Sequence, residues 1–252
     1  MSAGRARERS RIAIVGPVFP YRAGIAYCTT RLGEELSRSH EVDIASFRRQ
    51  YPKRFYPGRN DVDTSLEARR PSGARFQLDI LHPWTWLAEG WRIRKRHPDA
   101  VILVWWIWVW ALPYLVLLAL LPRNSRIVLQ CHNITDKEPA GWKSWLTNLV
   151  LRRGDVLVVH AASEAEEARR RIGHHTTIVE TFLPVHELGG EMPDREVAKR
   201  QYGLEGKDVA LFFGHVRPFK GLDVALEAVG KSERDWILFV AGEVWWDEEQ
   251  IY

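Results

Sequence analysis

Cysteine is nearly missing. Cys28 and Cys131 are the only two in 252 residues, too few for a disulfide framework, and a reducing compartment is the simpler setting. Lysine is scarce as well: of 36 basic side chains 8 are lysine and 28 arginine, a compositional bias of the source and not a binding signal. No GxGxxG follows the first strand-like run and no acidic residue closes the second, which excludes a nicotinamide-dependent dehydrogenase. A Tyr-x-x-x-Lys pair is also lacking, so a nucleotide-sugar epimerase would have neither its hydride cofactor nor its base. No signal-peptide pattern is read at the start, because the apolar run Ile12 to Val15 is too short and runs into Gly16-Pro17. Internal repeats and low-complexity tracts are absent.

Long apolar runs are missing with one exception. Residues 101–121 are 21 consecutive uncharged, mostly apolar positions, about the roughly 20 that a membrane helix needs. The run opens with β-type residues (AVILVWW), Pro113 interrupts it, and it sits inside a regular strand and helix alternation. A buried strand followed by an apolar helix is therefore the better reading.

What is plentiful is aromatic surface. Twelve Trp, 9 Phe and 7 Tyr exclude a disordered chain. A composition of 46% hydrophobic and 27% charged residues suits one large domain or two small ones. The net charge of +4 hides an asymmetry: residues 187–252 hold 14 acidic against 8 basic side chains, so residues 1–186 carry +10. Such a half suits anionic partners, including phospholipid surfaces and phosphorylated acceptors, or is a solvated Arg-rich surface; charge alone leaves both open. A nucleic-acid partner would rest on charge alone and is not expected.

Short Val/Ile/Leu runs alternate with helical stretches. Strands are expected at 11–16, 41–47, 74–80, 100–106, 126–132, 156–161 and 176–181. Helices are expected at about 25–38, 84–97, 111–121, 140–152 and 163–172. This is the pattern of βαβ units around a parallel sheet. Residues 48–73, rich in Pro, Gly and Arg, read as a long loop. A boundary near 182–193 divides a first domain, 1–187, from a second, 188–252, where the alternation restarts: helix 194–202, strand 208–216, helix 221–230, strand 236–242. Two strands and two helices cannot cover both faces of a sheet, so the second unit reads as incomplete, short by roughly one hundred residues.

In open parallel sheets, ligands bind beyond the carboxyl ends of the strands, so the residues after each strand are the candidates. Gly24 opens the helix after the first strand, where free amides suit an anion, or it serves the turn alone. His132, after the fifth strand and beside Asn133, can hydrogen-bond a sugar hydroxyl or move a proton, or is a satisfied structural histidine. With Asp136 and Glu138 it lacks metal-ligand spacing, and no metal site is assigned. In the second unit Gly214, His215, Arg217, Lys220 and Gly221 follow a strand and open a helix. Glycines, helix start and two cations together form a diphosphate site in physical terms, the alternative being a solvated basic loop. Seven of the twelve Trp lie between positions 84 and 110. The stretch Trp105, Trp106, Trp108 and Trp110 is divided between core and a surface for sugar rings or a membrane interface.

Five segments carry a resemblance: PVFPYRAGIAYCTTRLGEELSRSHEVDIASF, RIVLQCHNITDKE, VLVVHAASEAEEA, LFFGHVRPFKGLDVALEAV and ILFVAGE. Together they span most of residues 11–243, and the last two are specific. The sequence resembles the retaining glycosyltransferases of the group-1 (family four) class, whose GT-B fold sets two Rossmann-like domains together.

The resemblance implies an α/β chain with two such domains, the second incomplete. It implies a hexosyltransferase-type enzyme moving a sugar from a nucleotide-diphosphate donor to a lipid-linked or saccharide acceptor, with retention and without a cofactor. His132 matches the family's histidine facing the reacting sugar, and Lys220 the lysine on the donor diphosphate. Of two glycines usual in the first loop, Ala23-Gly24 keeps one. His215 stands where an arginine is usual, with Arg217 as its substitute, and Gly242-Glu243 lie where a second-domain strand meets the nucleotide. The family's paired glutamates fall beyond Tyr252, so the resemblance implies a truncated chain, inactive on its own. A bacterial cytoplasmic location is expected, peripheral on the inner face of the membrane. The rival reading is a non-catalytic membrane-associated protein that binds acceptor and has lost the donor half.

Overall fold

Short apolar runs between helices suit parallel strands, and the runs before residue 185 form one parallel sheet. The strands are β1 Arg11–Val15, β2 Glu41–Arg49, β3 Arg75–Asp79, β4 Ala100–Trp105, β5 Arg126–Cys131, β6 Val156–Val159 and β7 Thr177–Glu180. All pair in parallel, in the order β3-β2-β1-β4-β5-β6-β7. The computed structural model describes residues 9–22, 24–52, 60–63, 70–134, 141–173, 176–184 and 192–245. They fall into two units, residues 9–184 and residues 192–245, each described by itself.

Five helices connect the first sheet: α1 Gly24–Ser37, α2 Pro83–Lys95, α3 Ala111–Leu120, α4 Gly141–Leu151 and α5 Ala162–Ile172. The chain steps one way from β1 to β2 and the other way from β3 through β7. Right-handed crossovers therefore put α1 on one face and α2 to α5 on the other. α2 starts with a proline and ends with Arg92, Arg94 and Lys95, matching the helix dipole at its carboxyl end.

The 21-residue apolar run resolves into β4, a 3-10 turn at Trp108–Trp110, and the ten-residue α3. Pro113 is the third residue of α3, inside the first turn, where no helical hydrogen bond is lost. Among the described residues no helix is long and apolar enough to cross a membrane.

The tryptophan stretch differs from its expected division. Trp105, Trp106 and Trp110 are all buried, and Trp110 stacks on Phe47 with ring centroids 4.3 Å apart. Each indole that loses water needs a partner for its N–H. Trp110 Nε1 donates to the Gln50 carbonyl at 3.1 Å and Trp106 Nε1 to the Tyr51 hydroxyl at 2.6 Å. Full burial of each ring contributes on the order of 2–3 kcal/mol, so this cluster is the centre of the core.

The expected loop over 48–73 is also altered. β2 runs on to Arg49, and Tyr21 bridges Val62 antiparallel, with Arg22 N on Asp61 O at 2.8 Å and Asp63 N on Pro20 O at 2.7 Å. Residues 60–63 thereby fasten the loop that follows β1.

Unit two contains α6 Arg195–Gln201, β8 Asp208–Phe213, α7 Leu222–Gly230 and β9 Trp236–Ala241, with β8 and β9 parallel. Asp194 caps α6 by accepting from the Glu196 amide at 2.8 Å. Of its described apolar side chains only Val216 and Leu222 are buried.

Candidate functional site

β5 and β6 end earlier than the apolar runs suggest, and each early ending leaves a histidine at a strand tip. β5 stops at Cys131 and β6 at Val159, so His132 and His160 are the first residues past two adjacent strands. The expected strands 126–132 and 156–161 had enclosed both. The His132 amide donates to the Trp105 carbonyl at 2.8 Å, which fixes the backbone over β4. The two imidazoles lie 4.9 Å apart between centroids and are tilted by 36°. Among the described residues, His132 Nε2 and both ring nitrogens of His160 are buried without a hydrogen-bond partner. Glu164 of α5 accepts from the Ile134 amide at 2.8 Å, closing the turn after His132.

This environment disfavours charge. Burial, and then the neighbouring His160, push the titration of His132 down to about 4. Burial lowers His160 as well. Near neutral pH the pair is uncharged, with lone pairs and N–H groups to offer. Cys131 points into the core, and its thiol is pushed up by burial and by Glu164.

Gly24 is the first residue of α1 and is exposed. Ala23, Asp136 and Glu138 lie outside the described residues. Among the described residues no group of three or more His, Cys, Asp or Glu is placed to hold a metal.

The second cluster belongs to the other unit. β8 ends at Phe213, not at 216, because Gly214 turns away with φ +118°. A Cβ at Gly242 would strike the Gly214 backbone, so the exits of β8 and β9 meet chain against chain. Beyond that contact Val216 bridges Val244: Val216 N donates to Glu243 O at 3.0 Å and Trp245 N to Val216 O at 2.9 Å. Arg217 places its guanidinium 4.0 Å over the Trp245 ring, and His215 stacks on the same indole at 4.3 Å. A 3-10 turn, Pro218–Lys220, then leads to Gly221, whose φ of +75° and ψ of 33° suit glycine, and α7 begins. Gly214, His215, Arg217, Lys220, Gly221, Gly242 and Glu243 thus gather at one end of the two-stranded sheet. His132 and Gly24 are in unit one.

His160 and Glu164, which stand beside His132, are not among the residues the sequence singles out. The rule that selected His132, the first residue past a strand, would have selected His160 had the end of β6 been placed correctly. Trp245 was missed because nothing in a lone Trp signals that it will carry Arg217.

Residues 23–180 match the glycosyl transferase 4-like domain. No curated protein matches the chain. Among solved structures, HepE of Anabaena in complex with UDP-glucose is 11% identical with a TM-score of 0.67, over 96% of this chain and 63% of that one. Sucrose-phosphate synthase of Thermosynechococcus elongatus is 14% identical with a TM-score of 0.57, over 92% of this chain and 62% of that one. The chain thus spans less than two thirds of the length of either. At such identities the likeness concerns the fold, which is α/β of the GT-B type. The matched domain covers more than half of the sequence, and the chain belongs to the glycosyl transferase 4-like family.

Proposed function

We propose that this chain takes part in transfer of a sugar from a nucleotide-diphosphate donor to an acceptor, with retention of configuration. The observation that carries the reading is the end of the β8–β9 sheet. There two glycine-bounded strand exits, Arg217, Lys220 and the opening of α7 converge on a place suited to a diphosphate. The family membership and the UDP-glucose complex of HepE support it. Lys220, Arg217 and the α7 amides would stabilise the charge that develops on the leaving diphosphate. Gly242 lets the exits of β8 and β9 meet, and Glu243 beside it would face the nucleotide.

His132 would face the reacting sugar. With its titration pushed down to about 4, it is a neutral imidazole at pH 7 and would orient a sugar hydroxyl by hydrogen bonding, not deliver a proton. A lipid-linked or saccharide acceptor would bind unit one, which carries the basic excess.

In the absence of acceptor, water can take the sugar. Where UDP-glucose is turned over, proton NMR is expected to show α-glucose before it mutarotates, with release about ten- to a hundredfold slower in His132→Ala, the loss of one charge-free hydrogen bond in a buried site. β-Glucose appearing first would contradict retention. Release unchanged in His132→Ala would contradict the role given to that residue.

A further inference from the structure

The outer surface of α2, α3 and α4 is unlike the rest of unit one. These helices pack side by side on one face of the sheet, so their outward residues form one continuous layer. On α2 the outward positions are Trp84, Leu87 and Trp91, spaced three and four residues apart. Leu112 continues the layer on α3, and Trp142 and Trp145 on α4. The four indoles are 63%, 52%, 55% and 60% exposed, values that leave large aromatic rings in water.

Scattered exposed apolar residues are ordinary, but an aromatic layer across three neighbouring helices marks an interaction surface. Its charge says with what. The three helices carry one acidic side chain, Glu89, which is buried and paired with Arg75 and, at 3.9 Å, with Arg92. Arg92, Arg94 and Lys95 stand at the end of α2, and the Lys143 ammonium lies 5.2 Å from the Trp108 ring and 5.9 Å from the Trp142 ring. Indoles with basic neighbours and no exposed acid suit a membrane interface: the rings sit at headgroup depth while the cations meet anionic lipid. A protein partner would ordinarily be matched by charges of both signs.

We infer that the outer face of α2, α3 and α4 docks the protein onto an anionic lipid bilayer through Trp84, Trp91, Trp142 and Trp145. This does not rest on sugar transfer; a chain unable to bind donor would still partition. The test is co-sedimentation of the full 252-residue chain with phosphatidylcholine vesicles, with and without phosphatidylglycerol. Binding is expected on the phosphatidylglycerol vesicles, falling with salt. Quenching of Trp fluorescence by lipids brominated along the acyl chain would report insertion in the unaltered protein. Replacing the four Trp by Ser is expected to abolish binding while the circular dichroism stays unchanged. Arg92→Gln, Arg94→Gln and Lys143→Gln should each lower partitioning about fivefold on the anionic vesicles. Failure of the unaltered chain to bind or be quenched would overturn the inference. So would binding that survives loss of the four indoles, or light scattering in which the face only joins two copies of the chain.

Discussion

His132 and Gly242 show how much a single position is asked to do. In the unfolded chain His132 titrates near 6.5, and in the fold near 4, because burial and His160 oppose its charge. Between those values the unfolded state binds a proton that the folded state refuses. Its contribution to stability is therefore complete above pH 6.5 and is lost as pH falls towards 4. An NMR titration of the imidazole should show this low midpoint, and His160→Asn should raise it only partway, since burial is the larger cause. A midpoint at or above 6.5 would mean that the ring is in water. At Gly242 the opposing group is backbone and cannot rotate aside. Gly242→Ala should therefore cost about 1–3 kcal/mol in denaturant unfolding of the second unit. The strand-tip positions of His132, Gly214 and Gly242 were legible because each follows an apolar run. His160 was not, since an apolar run does not show which of its last residues still pairs.

At the scale of elements, the sheet edge is tied to a helix by charge. Arg75 of β3 bonds Asp43 of β2 and lies 2.5 Å from Glu89 of α2, where the Glu89 carboxylate is buried. Arg75→Met would leave that buried carboxylate with Arg92, 3.9 Å away, as its remaining cation, and a loss of about 2–4 kcal/mol is expected in chemical denaturation. An unchanged midpoint would remove this network from the supports of the fold. Strand and helix identity was readable throughout unit one, because β-branched runs and amphipathic stretches differ in period. The ends were less readable: Gly214 stops β8 three residues early by taking a positive φ, a choice made against the backbone of Gly242. The division of the Trp stretch was misjudged for a related reason. Alternation along a strand assigns neighbouring side chains to opposite faces, but Trp106 lies past the end of β4 and packs on Phe47 and Tyr51, so Trp105 and Trp106 are both buried.

For the whole molecule, the two units differ in how much they bury. Unit one holds nearly all of the buried apolar side chains, whereas unit two keeps Val216 and Leu222, with Leu211 and Phe213 exposed along β8. Hydrogen exchange should accordingly be fast in β8 and β9 and slow in β1, β4 and β5; equal protection would mean that the smaller unit is supported as well as the larger. The account as a whole stands on that smaller unit being a donor site. The most direct test is titration of the isotope-labelled chain with UDP-glucose, followed by amide shifts in wild type and Lys220→Ala. Shifts gathered at Gly214, Gly221, Leu222 and Gly242, and weakened in Lys220→Ala, are the expected result. Shifts confined to other parts of the chain, none at all, or a response indifferent to Lys220 would contradict it.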